Sequence, residues 1–422
     1  MYVLFLPRLP RASFRFEETD MLTPYKELFS APGTLGFTLA GLLARLALPM
    51  TGIGIITMLA QLQGSYTLAG RVCAVFVLSY AVASPQISRL VDRRGQRRIL
   101  PVATAVSVLG FAILLAGAWR QTVDWPLYLG AVLAGCMPSV SAMVRARWTA
   151  LYRGQPRLQT AYSLEAVLDE VTFIIGPPLS VGLSIAVLPQ AGPVAAAVLL
   201  VIGIAALAAQ TCSAPAPEAQ VETSENATSL LRQPSVQLLA ALMMAMGVIV
   251  GSVDIVSVAF AEHVGQPAAA SLVLSAYAVG SCVAGLLFGT LELRTPLPRL
   301  LVLGALATAV ATLPLTQVES IGAMALAVLL AGLFFAPTLI VAMSLVERLV
   351  PEHRLTEGLT WLLAGLNVGV ALGAAAAGQV VDGNGAQAGS AVAVCAGAAV
   401  VITALAGYLH LRPRRLAAPD IA

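Results

Sequence analysis

Long apolar runs follow one another along this chain, separated by short clusters rich in Gly, Pro and charge. Runs near 33–60, 69–88, 99–119, 125–147, 159–187, 193–211, 234–261, 268–291, 299–316, 320–346, 357–381 and 388–411 are predicted to be helices. At ~1.5 Å rise per residue each is long enough, or nearly so, to cross a hydrocarbon core of ~30 Å. These are taken as spans 1 to 12. The pattern describes an all-α polytopic membrane protein with both chain ends on the same side.

Charge orients the spans. Ser88–Arg98, SRLVDRRGQRR, puts five arginines and one aspartate between two runs that carry no charge. Such a cluster crosses a bilayer with difficulty and marks the cytoplasmic side. Of 24 Lys and Arg, Arg71 and Arg120 fall at outer ends and Arg45 inside a span; the others lie in or beside cytoplasmic segments. Missing one span would scramble that asymmetry. The protein is therefore expected in the plasma (inner) membrane, with a leader 1–32, a linker 212–233 and a tail 412–422 all cytoplasmic. In the leader the apolar run VLFL is too short for a signal-peptide core, and Met1 and Met21 both remain usable starts, because Pro24–Phe29 already reads as a short interfacial helix. The linker is rich in Pro, Glu, Ser and Thr, so it is expected to be flexible, and the sequon Asn226-Ala227-Thr228 lies on the wrong side for glycosylation.

A repeat divides the chain into two units, 33–211 and 234–411. Tyr80–Ser84 (YAVAS) recurs as Tyr277–Ser281 (YAVGS), Ala134-Gly135 as Ala331-Gly332, Arg157-Leu158 as Arg354-Leu355 and Gly176 as Gly373, all at a shift of 197. A common offset across four helix pairs points to two copies of a six-helix bundle. The second copy of the charged loop, Gly289–Arg299, has lost its aspartate and most of its arginines.

Composition removes other classes of function. With 58% hydrophobic and 11% charged residues the chain lies far from the soluble norm. A net charge of +3, with the basic residues in loops, leaves nothing to hold a nucleic acid. Cysteines 73, 136, 212, 282 and 395 are scattered without C-x-x-C spacing and read as apolar packing residues. No phosphate-binding loop, metal cluster or nucleophile motif is present in the sequence, so no enzyme, no ATP, no cofactor and no metal are expected.

Chemistry then rests on the few ionisable groups inside spans, each costly in a membrane and therefore facing a partner or a water-filled cavity. They are Arg45 in span 1, Glu165, Asp169 and Glu170 in span 5, and Asp254 in span 7. Arg45 and Asp169 lie at similar depth, roughly 15 to 17 Å from the cytoplasmic ends, so they are expected to meet. Glu165 shares a helix face with Asp169 as an i, i+4 pair, and Glu170, although it points about 100° away from Asp169, is grouped with them in the expected charge pair with Arg45. A static ion pair locking span 1 to span 5 and a pair that rearranges or meets an anionic substrate both fit this pattern. Asp254 has Arg71 as its nearest candidate cation, about a turn further out, and burial without a countercharge favours the proton-bound form of a carboxylate in general. Asp254 is therefore the candidate proton site. His263, His353 and His410 fall at helix ends or in loops, which argues against a histidine relay.

The charged loop also resembles the signature G-x-L-x-D-R-x-G-R-R of the major facilitator superfamily. Leu90, Asp92, Arg93, Gly95, Arg97 and Arg98 match, with Ser88 in the place of glycine and Gln96 inserted in the basic run. Span 5 carries Gly176-Pro177-Pro178, which resembles the core of that superfamily's antiporter signature, with Thr172, Ser180 and Val181 replacing glycines. A kink at Gly176, Pro177 and Pro178 serving only packing is the alternative. The resemblance implies a monomeric secondary transporter with a cavity lined mainly by spans 1, 4, 7 and 10. Its partners would be a small-molecule substrate, protons and the lipid bilayer. It also implies a cytoplasmic gate in which Asp92, Arg93, Gly95, Arg97 and Arg98 work against the helix ends around Arg145, Arg147 and Thr356-Glu357. Proton-coupled export of a small amphipathic molecule is the leading expectation. A metabolite importer, and a receptor or scaffold that kept the fold, are the rivals.

Overall fold

The computed structural model describes residues 23–64, 66–120, 124–210, 230–266, 269–291 and 295–411. The leader before Thr23, residues 211–229 of the linker with Cys212 and Asn226, and the tail from 412 lie outside the described residues.

Among the described residues the regular structure is entirely helical. In hydrocarbon a helix satisfies each backbone N–H and C=O within its own segment, so apolar runs of this length have little other choice. Span 2 is Tyr66–Arg94, span 3 Gln96–Arg120, span 5 Arg157–Ala186, span 6 Ala191–Ala209, span 7 Pro234–His263 and span 8 Ala269–Thr290. Span 9 is Leu297–Thr312, span 10 Ile321–Leu349, span 11 Leu355–Asn384 and span 12 Ala386–Leu411. Exposed side chains such as Val102, Leu109, Leu303 and Ile402 form an apolar outer wall, as lipid contact requires.

Spans 1 and 4 depart from single helices, and proline is the cause in both. Span 1 is Thr34–Arg45 followed by Ala47–Gln63, interrupted at Leu46. Pro49 has no N–H to give the Arg45 carbonyl, so the ladder is lost directly after Arg45. Span 4 is expected to run unbroken over 125–147, but it divides into Trp125–Ala134 and Val140–Tyr152. Pro138 cannot bond the Ala134 carbonyl, and it disfavours helical backbone at Met137. Span 5, by contrast, stays helical through Pro177 and Pro178.

The repeat is visible in the packing. A β-carbon on Gly135 would lie 2.6 Å from Ser79 Cβ and 2.8 Å from the Phe76 carbonyl, so span 4 rides directly on the backbone of span 2. Its repeat partner Gly332 meets the backbone of span 8 at Tyr277 and Ser281 in the same way. The twelve spans among the described residues thus form two pseudo-symmetric six-helix bundles. The second is tighter at its centre: Gly247 and Gly251 of span 7 lie against the Leu366 and Val370 carbonyls of span 11, and Gly369 and Gly373 return the contact on Met244 and Val248.

Candidate functional site

The two bundles are bonded to each other at the arginine-rich face. Span 2 ends at Arg94, and Gly95 turns the chain with φ 83°, a left-handed conformation that glycine adopts without a Cβ clash. The turn leaves Asp92 in the last turn of span 2, reaching across to the start of span 11. Its Oδ2 accepts the N–H of Glu357 at 2.8 Å. That N–H belongs to the first turn of a helix, which has no carbonyl of its own to bond, and Arg354 at the N-cap position supplies no side-chain cap. Asp92 therefore caps span 11 from the opposite bundle, at the end where the helix dipole favours an anion. One turn along, Ser88 Oγ and Thr360 Oγ1 are 2.7 Å apart. The Glu357 carboxylate is held by Arg354 at 2.8 Å and by the Leu230 N–H at 3.0 Å, where the linker re-enters the described structure.

Arg93, Arg97 and Arg98 are exposed around this contact, while Gln96 is buried. Gln96 accepts from Arg147 Nε at 2.8 Å and donates to the Met143 carbonyl at 3.2 Å. Here the structure differs from the expectation that Arg145 and Arg147 face Asp92. Val140–Tyr152 buries nearly its whole circumference, so both arginines turn into their own bundle. Arg147 donates to the Leu207 and Gln210 carbonyls at 2.8 and 3.1 Å, satisfying the end of span 6.

Other contacts between the bundles had no motif to announce them. Arg153 bonds Glu347 at 3.0 Å and Glu352 at 2.8 Å beyond the end of span 10. Gln159 Nε2 donates to the Phe288 and Leu291 carbonyls at 2.6 and 3.0 Å, and Thr160 Oγ1 donates to the Gly289 carbonyl at 2.7 Å. The shift of 197 was the available signal. It sends Asp92 to Gly289, Thr356 to Gln159 and Glu357 to Thr160, so the second contact is the first one carried through the repeat.

Arg45 does meet the acids of span 5. It bonds Glu165 directly and Asp169 at 3.0 Å. Arg145 bonds the other Asp169 oxygen at 2.8 Å, Ser141 donates to Asp169 at 2.6 Å, and Trp148 Nε1 donates to Glu165 at 2.8 Å. Two cations and two anions are thus neutralised inside the first bundle, with Arg45 and Glu165 4% and 0% exposed. Glu170 is outside this network. It sits beside Ser281 of span 8, within electrostatic reach of Asp254. Its backbone position explains the difference, because 100° of helix turns it toward the other bundle.

Asp254 is exposed although span 7 is otherwise largely buried. Span 7 continues to His263, so Asp254 stands nine residues, roughly 14 Å, from that end. Among the described residues neither Asp254 nor Glu170 forms an ion pair, and Arg71 does not reach Asp254. The Tyr277 hydroxyl, in the field of both carboxylates, is buried and has no hydrogen-bond partner among the described residues. Gly176 and Ser180 serve the contact with span 1: a β-carbon on Gly176 would come 2.9 Å from Pro49 Cγ, and Ser180 Oγ bonds the Met50 carbonyl at 2.9 Å. Cys73, Cys136, Cys282 and Cys395 are free thiols.

The family model described as Major Facilitator Superfamily matches residues 37–260 and 238–421. No curated protein matches the chain. Among solved structures, a bacterial homologue of the iron transporter ferroportin in an outward-facing state is similar at TM-score 0.70 and 12% identity, covering 89% of this chain and 99% of that one. The E. coli fucose:proton symporter is similar at TM-score 0.64 and 15% identity, covering 88% and 98%. A human organic anion transporter is similar at TM-score 0.60 and 14% identity, covering 88% and 97%. At these identities the likeness concerns the fold.

Proposed function

Because the chain belongs to the major facilitator superfamily, we propose that it is a carrier that exports a small amphipathic molecule in exchange for protons by alternating access. In this reading the arginine-rich face is cytoplasmic, both chain ends lie on that side of the plasma (inner) membrane, and the units 33–211 and 234–411 rock as two bodies. Asp92, held by the turn at Gly95 and flanked by Arg93, Arg97 and Arg98, closes the inner gate on the first turn of span 11. The bonds from Ser88, Arg153, Gln159 and Thr160 close it further, leaving the cavity open to the outside.

The observation that carries the coupling is Asp254, an exposed carboxylate well inside span 7 with Glu170 of the other bundle in its field. Two anions within electrostatic reach of each other in a low-dielectric surrounding repel, and a proton on either one removes the repulsion. Proton and substrate then compete through the same conformational equilibrium. The charges of Arg45 and Arg145 are balanced by Glu165 and Asp169, so neither is an uncompensated cation for an anionic substrate.

Asp254→Asn imitates the protonated form. In inside-out vesicles with an imposed pH gradient, the variant should lose gradient-driven uptake of amphipathic fluorescent dyes while still binding them. Uptake that persists at the wild-type level would move the coupling site elsewhere, to Glu170 first.

A further inference from the structure

We infer that Tyr25, on the short helix Thr23–Leu28 ahead of span 1, is a working part of the inner gate, replacing on one side of the pseudo-twofold the bridge that Asp92 makes on the other. The inference rests on the alternating-access reading above.

The two sides of the gate can be compared residue by residue. On one side span 2 meets span 11 through Ser88 with Thr360 and through Asp92 with Glu357. On the other, the shift of 197 places Gly285 and Gly289 of span 8 against Ser163 and Thr160 of span 5. The contacts agree: a β-carbon on Gly289 would lie 2.6 Å from Ser163 Cβ, and one on Gly285 would lie 4.0 Å from the Ser163 carbonyl. Two glycines therefore stand where the first side has a hydroxyl and a carboxylate. The second side has lost both side chains that cross the interface from span 8.

Tyr25 occupies the room they leave. Its hydroxyl donates to the Leu286 carbonyl at 2.6 Å and lies where a side chain on Gly289 would start. The other end of the short helix is fastened to the first bundle. Leu28 is fully buried, its carbonyl accepts from Tyr152 Oη at 2.9 Å, and the Phe29 ring meets the Trp148 ring edge-on at 6.2 Å. Glu27 adds an exposed ion pair to Arg157 at 3.0 Å. A segment anchored in one bundle and bonded to the other resists their separation, as Asp92 does. The chemistry differs in one respect. Asp92 offers an anion to a helix start, whereas Tyr25 offers a neutral donor to carbonyls near a helix end, alongside Gln159 and Thr160. Burial pushes the Tyr25 phenol upward from its ordinary pKa, so it remains a donor at every working pH.

For spans 5 and 8 to part, the bond from Tyr25 to Leu286 must break. Losing one neutral hydrogen bond present only in the closed gate should raise the ratio of inward-open to outward-open protein roughly two- to ten-fold. The measurement is the distance between spin labels at Gln155→Cys and Arg299→Cys, exposed positions on opposite bundles at this face, in full-length protein lacking its native cysteines. In lipid nanodiscs Tyr25→Phe should move population from the short to the long distance without lowering the melting temperature. Leu28→Ser, which loosens the anchor and leaves the hydroxyl intact, should move it the same way. A distance distribution for Tyr25→Phe equal to that of the parent would overturn the inference, and so would a shift toward the short distance. The distances do not depend on a substrate being known, so failure of the export reading and failure of the latch are separately visible.

Discussion

Replacing Asp92 by alanine should open the inner gate while leaving each bundle folded. The bond from Asp92 to the Glu357 N–H joins the bundles and lies within neither, so its loss weakens one conformation and spares the fold. A hydrogen bond to a charged group contributes about 1.5 to 3 kcal/mol, and an anion in the first turn of a helix adds about 0.3 to 1 kcal/mol through the dipole. Together these destabilise the closed gate by roughly 2 to 4 kcal/mol, or about 30- to 1000-fold in the ratio of the two states, since 1.4 kcal/mol is tenfold. Alternating access needs both states within reach, so transport should collapse. Asp92→Asn keeps an acceptor and loses mainly the charge, so its defect should lie between the two. Dye transport in vesicles, normalised to membrane-inserted protein, measures the activities, and the spin-label pair at 155 and 299 measures the gate. Wild-type transport by Asp92→Ala, or a milder defect for alanine than for asparagine, would refute the capping argument.

Two further perturbations test the packing. Arg45→Ala leaves Glu165 buried with only the Trp148 N–H as a partner; removing one member of a buried pair typically costs about 3 to 5 kcal/mol, so the melting temperature in detergent should fall sharply, and an unchanged value would contradict the network. Gly251→Ala drives a β-carbon into the Val370 carbonyl of span 11, where backbone cannot yield, whereas Gly378→Ala meets open space; the first should lose about 1 to 3 kcal/mol or more and the second should melt with the wild type.

The apolar runs made most of the spans legible, because length and hydropathy in a bilayer dictate helix directly. The asymmetry of arginines and the offset of 197 were equally open to reading. Depth counting brought Arg45 to Asp169, since rise per residue is nearly constant along a helix. What escaped was set by side-chain direction and by contacts between bundles. Pro138 stood in plain view in an apolar run, yet hydropathy alone does not register a missing N–H. Arg145 and Arg147 fall at the end of the apolar run 125–147 and so suggest charges facing the gate, but their inward turn depends on how the split half of span 4 packs. Glu170 was grouped with its neighbours although its rotation of 100° from Asp169 already pointed away, toward a bundle whose position no local pattern encodes. Tyr25 lies in a stretch that reads only as an interfacial helix, and the signal for it is that the repeat of Asp92, 197 residues further on, is Gly289.

The distribution of intramembrane charge follows from what each bundle has to do. Arg45, Arg145, Glu165 and Asp169 cancel one another within a single bundle, across spans 1, 4 and 5, so they stay paired whichever way the bundles rock. Their cost is met once, and the result is a stiff body. Glu170 and Asp254 stand on opposite bundles and have no ion-pair partner among the described residues, so their interaction changes whenever the bundles move. In the proposed proton-coupled cycle only charges of the second kind can report a bound proton to the gate, because a ligand shifts an equilibrium solely through its differential affinity for the two states. The same reasoning separates the gate contacts: Arg147 and Gln96 tie spans 3, 4 and 6 of one bundle together, whereas Asp92 and Tyr25 each join an element of one bundle to the other. A substitution at Gln96 should therefore cost stability without shifting the spin-label distances, and one at Asp92 should do the reverse.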